Sequence, residues 1–310
     1  MTKYPVLDGH CDTAVELWRK GESLAENSGQ VSLAQAAAFP AYVQFFAFCT
    51  VWIENEQTDE ERFASAMAYF SEQLRKHSIP LCRTSADVSA ILRKGGVGAV
   101  LSIEGAEAFG CDPGRLEELA ARGVRMIAPV WNAENALAGS CMTGGGLTAQ
   151  GREFVRRAQR AGIIVDVSHS SERAFWDICE LAEKPIVASH SNAKAVCGHV
   201  RNLTDEQFRA ICDLGGTAGL NLYAPFLNES GEASMDDVRR HLEHFLERDG
   251  DGHLALGGDL DGCDVLPDGM HGLRDCALLE TNFEKWGFGE QIVRNLFYQS
   301  LEKVVKLCIM

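Results

Sequence analysis

Five short stretches of this chain carry side chains that can hold a cation or move a proton. They are Asp8-Gly9-His10-Cys11-Asp12, Ser102-Ile103-Glu104-Gly105, Asp166-Val167-Ser168-His169, Ala188-Ser189-His190-Ser191 and Gly257-Gly258-Asp259-Leu260-Asp261. Imidazole nitrogens combined with carboxylate oxygens form the donor set of zinc and similar divalent ions. His10 and Asp12 stand two apart, so on extended backbone both point to one face while Cys11 points to the other. Cys11 is therefore not counted as a ligand. Glu104 has two oxygens that could bridge a pair of ions, and His169 with His190 could complete the second position. Five protein ligands shared between two ions leave coordination positions open for water and substrate, which metal-assisted hydrolysis requires. Asp8, on the face of His10, reads as a residue that orients a ligand instead of binding an ion. His77, His241, His244, His253 and His271 read as structural, and His241 with His244, three apart among Arg and Glu, as a solvated helix face.

The elements that must position these residues repeat. Apolar runs at 6–10, 42–49, 97–104, 124–130, 163–169, 186–190, 217–222 and 254–259 alternate with amphipathic, capped segments. Several runs are apolar on both faces, as strands of a parallel sheet covered by helices should be. Thr58-Asp59-Glu60-Glu61 and Thr204-Asp205-Glu206-Gln207 are capping boxes. Ser85, Asp112-Pro113, Thr148, Ser171 and Ser234 open further helices, Gly95, Gly123, Gly162, Pro185 and Gly215 stop theirs, and a last helix spans about 289–307. Eight strand–helix units over residues 1–310 predict an α/β fold, a (β/α)8 TIM-type barrel forming a single domain. Pro129 sits inside the fourth run, where a central strand tolerates proline poorly, and marks that strand's end or a bulge. Five of the eight runs end in or beside His, Asp or Glu, and in a barrel the C-terminal ends of the strands build the active site.

Composition narrows the function classes. The chain has 310 residues, of which 46% are hydrophobic and 24% charged, so a core of normal size can be buried. A net charge of −15 argues against a nucleic-acid partner, because phosphate binding needs a basic face. No apolar run is long enough to cross a membrane, and the N-terminus lacks an apolar core of signal-peptide length, so a cytoplasmic protein is expected. Eleven cysteines without a single C-x2-C pair point to scattered buried thiols in a reducing compartment.

Taken in order, Asp8-Gly9-His10-x-Asp12, Ser102-Ile103-Glu104-Gly105, Asp166-x-x-His169, Ser189-His190-Ser191, Arg201-Asn202 and Gly257-Gly258-Asp259-x-Asp261-Gly262 resemble the membrane (renal) dipeptidase family, zinc dipeptidases of the amidohydrolase-like barrels. The resemblance runs from about Leu7 to the last helix. It implies hydrolysis of dipeptides, including those with a D-residue at the C-terminal position, by a metal-bridged hydroxide. It implies one zinc on His10, Asp12 and Glu104, a second on Glu104, His169 and His190, and a homodimer. Arg201 and Tyr223 match positions that hold the substrate's terminal carboxylate, and Asp259 matches the acid that handles protons and the free amine. One position departs from the pattern. Where the animal enzymes carry a carbonyl-polarising histidine, this chain reads Val130-Trp131-Asn132, and Trp131 offers only a ring N–H. A deaminase, lactonase or cyclic amidohydrolase would also use such a barrel. Many of those carry H-x-H on the first strand and a metal-bridging lysine, against His10-x-Asp12 and Glu104 here. An inactive binding protein is a third reading, opposed by the filling of all five ligand positions.

Overall fold

The computed structural model describes residues 2–309. Eight strands are present: β1 (Val6–Cys11), β2 (Ala41–Phe48), β3 (Gly96–Glu104), β4 (Val124–Ala128), β5 (Ile164–Val165), β6 (Val187–Ala188), β7 (Thr217–Leu220) and β8 (Leu254–Leu256). They lie in the order β5-β4-β3-β2-β1-β8-β7-β6, with every pair parallel. The two outer strands meet through the parallel bridge Asp166–Val187, where the Val167 N–H donates to the Val187 carbonyl at 2.8 Å. That seam closes the sheet into a (β/α)8 barrel.

The strands stop where their polar ends begin. In β5 and β6 the ladder is two residues long, and beyond it the Asp166 carboxylate takes over, accepting the N–H groups of Ser168 and Ser189 at 3.0 Å each. Pro129 is the first residue past β4 and so ends that strand; its carbonyl accepts the Ala106 N–H and the Asn135 amide. β1 is less regular than alternation predicts. Its register with β2 shifts between Asp8 and Cys11, and Asp12 already has the φ of −98° and ψ of 7° that leads into the helix Thr13–Lys20.

Inside the barrel, Leu7, Val43, Phe45, Val100, Met126 and Ile164 pack with Leu301, Val304 and Val305 of the last helix. On β3, Val100, Ser102 and Glu104 alternate onto one face, so this plug sits beneath Glu104. Aromatic side chains fill the layer between strands and helices, for example Phe46 and Phe48 against Phe63 and Phe70 of the helix Asp59–Lys76.

Helix starts follow the expected capping chemistry at Thr58, Thr148, Ser171, Thr204 and Ser234. Two details differ. Thr84, not Ser85, caps the helix Ser85–Lys94, because the Thr84 hydroxyl and the Asp87 carboxylate exchange bonds with each other's backbone. The helix opened by Ser171 ends at Leu181, ahead of Pro185. His241 is a correction. The helix Met235–Leu246 turns it inward, fully buried, accepting the Ala193 N–H at 3.1 Å and facing the Leu227 carbonyl at 3.0 Å. A solvated face is ruled out there; His244, its neighbour, pairs with Asp205 at 2.7 Å. All eleven cysteines are free thiols, and none is exposed.

Candidate metal centre

The closed barrel brings residues as far apart in sequence as His10 and Asp259 to one mouth. Glu104 Oε1 lies 2.7 Å from His169 Nε2 and 3.4 Å from His190 Nε2, and the two imidazole nitrogens are 3.2 Å apart. His10 Nε2 lies 3.3 Å from Asp12 Oδ2, 3.7 Å from Asp259 Oδ1 and 3.9 Å from Glu104 Oε2. Two groups of donor atoms result: Glu104, His169 and His190, and beside them His10, Asp12 and Asp259. Asp12 reaches His10 through the strand-to-helix turn and not by strand alternation. It stands at the N-cap of Thr13–Lys20 without capping it, since its carboxylate faces the imidazole. Asp166 also lies near His10 and His190, but four bonds from the N–H and hydroxyl groups of Ser168 and Ser189 occupy its oxygens.

A second ring of contacts settles the imidazole tautomers. The Ser189 hydroxyl donates to Asp166, so its oxygen accepts the Nδ1–H of His190 at 2.7 Å and leaves Nε2 bare. Asn132 Oδ1 does the same for Nδ1 of His169 at 3.1 Å. Asp8 touches no imidazole; its carboxylate accepts the N–H of His10 at 2.9 Å and of Gly258 at 3.2 Å, tying the His10 strand to the loop after β8. That loop bends through two left-handed residues, Asp259 (φ 55°) and Asp261 (φ 65°). Asp261 is held by Thr13 and Gln30, and Asn221 Nδ2 donates to Asp259 Oδ2 at 3.0 Å. Gly262 is the cradle of this loop. A Cβ there would lie 2.3 Å from Asp12 Oδ2 and 2.5 Å from Asp259 Oδ1.

The charges fit a metal site. Bare Nε2 lone pairs of His169 and His190 converge on the Glu104 carboxylate, an arrangement that only positive charge relieves. Arg201 Nη2 is the cation beside them, 2.8 Å and 2.7 Å from the two nitrogens, while Glu104 Oε1 and His10 Nε2 are buried without a hydrogen-bond partner. Burial would push Glu104 up, but His169, His10 and Arg201 outweigh it and hold it down at about 2. Burial likewise opposes charge on His10, yet Glu104, Asp12 and Asp259 bring it to about 10. Burial lowers His190 far below the usual imidazole range and raises Asp259 to about 7, with Asp12 and Glu104 adding to the latter. The ionised Glu104 and the neutral His190 suit a divalent ion, and a cation bound there would replace the proton that the carboxylates hold on His10.

Above the ligands opens a cavity of about 670 Å³. Arg201 is buried at its inner end with Nη1 unpartnered, and its guanidinium lies over Phe226 at 5.6 Å. Tyr223 lines the same wall, packed edge-on against Phe226 with ring centroids 4.9 Å apart. Among the lining residues without a role in the sequence motifs are Asn132, His199 and Trp52. His199 stacks on Phe226, and its Nδ1 accepts the Arg201 N–H at 3.2 Å. Its place two residues before Arg201 was the signal available.

The family model described as membrane dipeptidase (peptidase family M19) matches residues 1–308. A Klebsiella pneumoniae protein named for its place in the pqqA 5′ region is 35% identical over 250 residues, 76% of this chain and 92% of its own. Among solved structures, a Rhodobacter sphaeroides metallopeptidase liganded with a phosphinate mimic of the dipeptide L-Ala-D-Ala superposes with a TM-score of 0.89 at 28% identity, covering 99% of this chain and 100% of that one. The dipeptidase AC, a metallopeptidase of family M19, gives a TM-score of 0.89 at 30% identity over 99% of both chains.

Proposed function

Because the chain belongs to the membrane dipeptidase family, peptidase family M19, and is thereby a metal-dependent hydrolase, we propose that it is a dinuclear zinc dipeptidase cleaving dipeptides with a free C-terminus, a D-residue accepted at the second position. The observation that carries this reading is the meeting of Glu104 with three buried imidazoles and two further carboxylates at the floor of one cavity. His10, Asp12 and Glu104 would hold one ion, and Glu104, His169 and His190 the other. Bound there, the ions would supply Lewis acidity and a water of lowered pKa.

The chain's own residues do the rest. With Nε2 of His169 and His190 given to an ion, the Arg201 fork would be free to grip the substrate carboxylate, with Tyr223 beside it. Asp259, 3.7 Å from His10 Nε2 and held by Asn221, accepts a proton from the attacking water. The water oxygen forms the new C–O bond, the C–N bond breaks, and Asp259 returns its proton to the leaving nitrogen. The remaining water proton completes the ammonium as the new acid ionises, so carboxylate and ammonium products balance amide plus water. The L-Ala-D-Ala mimic bound by the Rhodobacter protein supports a D-residue at the second position. Eleven free, unexposed thiols support a reducing, cytoplasmic location, and no described helix is long and apolar enough to cross a membrane.

The test is hydrolysis of a library of Xaa-L-Xaa and Xaa-D-Xaa dipeptides, with lactones and nucleobases alongside, before and after chelation, together with metal analysis. Dipeptide turnover that disappears with chelator and returns with zinc, at two ions per chain, is expected. Turnover of lactones or nucleobases alone would replace the proposal.

A further inference from the structure

We propose that Asn132 serves both sides of the reaction: its Oδ1 fixes His169 with Nε2 free for an ion, and its Nδ2 donates a hydrogen bond to the oxygen of the substrate carbonyl. Asn132 lies in the loop after β4, half-buried, on the wall of the cavity that Glu104, His169 and Arg201 also line. Its orientation follows from its neighbours. The Arg201 guanidinium, which can only donate, faces Nε2 of His169 at 2.8 Å, so the ring proton is on Nδ1, and only the carbonyl end of the Asn132 amide can accept it at 3.1 Å. With Oδ1 spent, the two Nδ2 hydrogens have no acceptor among the described residues.

The backbone holds this amide still. The Asn132 carbonyl accepts the Ser140 hydroxyl at 2.7 Å, Ser140 bridges to Ser170 in the next loop, and the Cys141 N–H donates to the His169 carbonyl at 2.8 Å. The loops after β4 and β5 are thus laced together on both sides of the His169–Asn132 contact. An amide donor so fixed costs little to reorganise when charge grows on the carbonyl oxygen, the condition under which such donors lower barriers most. Trp131, its neighbour, presents a ring tilted 39° to His169 at 6.3 Å and serves as packing for the ligand. The donor half rests on the dipeptidase reading; the His169 half does not.

Two variants and two readouts separate these roles. Zinc affinity is measured on the apoprotein by competition with a chelator, and kcat and KM on a cleaved dipeptide at saturating zinc. Asn132→Ala is expected to weaken zinc about 10- to 100-fold and to lower kcat about 100-fold even when fully loaded. Asn132→Asp keeps the acceptor for Nδ1–H and loses the donor, so zinc affinity stays at or above the parent value while kcat still falls about 100-fold. Unchanged zinc affinity in Asn132→Ala, or parental kcat in Asn132→Asp, overturns the proposal. Zinc affinity is read without substrate. A parent chain that binds zinc yet cleaves no dipeptide would therefore count against the proposed activity, while the Asn132→Ala affinity still judged the proposal. Thermal unfolding of each apoprotein establishes that the variants fold.

Discussion

At the scale of single residues, the centre is a balance of charge that burial makes unforgiving. Glu104 stays ionised only because imidazoles and Arg201 face it, and His10 takes up positive charge only because carboxylates surround it. Asp259 differs from both. Burial raises it to about 7, and bound cations would draw it lower, into the range of a working base. Asp259→Ala should cut kcat about 100- to 10,000-fold while metal content, read by elemental analysis, is retained; parental turnover would remove Asp259 from the chemistry. Gly262 tests the geometry instead. A methyl at this position meets Asp12 and Asp259 at 2.3 Å and 2.5 Å, so Gly262→Ala must displace one carboxylate. A displacement near 1 Å costs about 100-fold in rate, and kcat/KM of the folded variant is the measurement that checks it.

At the scale of elements, what matters is how each strand end is handed to the next loop. β5 and β6 are short because side chains of Asp166, Ser168 and Ser189 replace the ladder, and the same bonds set the tautomer of His190. The helix Met235–Leu246 supports the loop after β6 through His241, whose neutral ring accepts from Ala193. Burial lowers that ring from 6.5 to about 4. Between those values the unfolded chain binds a proton that the native chain refuses. Stability fully present above about pH 6.5 therefore drains away as pH falls towards 4, by about 3 kcal/mol in total. In His241→Gln this acid loss should be smaller, as read by urea unfolding at pH 7, 5.5 and 4.5. Parallel pH profiles for parent and variant would show that another group is responsible.

At the scale of the whole molecule, the proposed metal ligands couple the first, third, fifth and sixth strands of a closed barrel, so occupancy and stability would be linked. An ion at about 1,000 times its dissociation constant adds about 4 kcal/mol to the native state, which for a chain of this size is about 6 °C in Tm. Stripping the metal should lower Tm by that amount and zinc should restore it. A Tm indifferent to chelator would mean that the five residues do not hold an ion in solution.

The sequence by itself determined the eight strand–helix units and which strand ends carry donors, because apolar runs, caps and polar run ends are local features. His10, Glu104, His169 and His190 were legible for that reason. Asp12 was legible by identity, although a turn, not strand alternation, brings it to His10. Only the tertiary structure decided that Asp259 joins His10 and Asp12, that His241 is buried, and that Asn132, Asn221 and His199 line or brace the site. Those residues lie in loops and on a helix whose orientation follows from closing the sheet. Until β5 meets β6, no spacing along the chain records which loops will face one another.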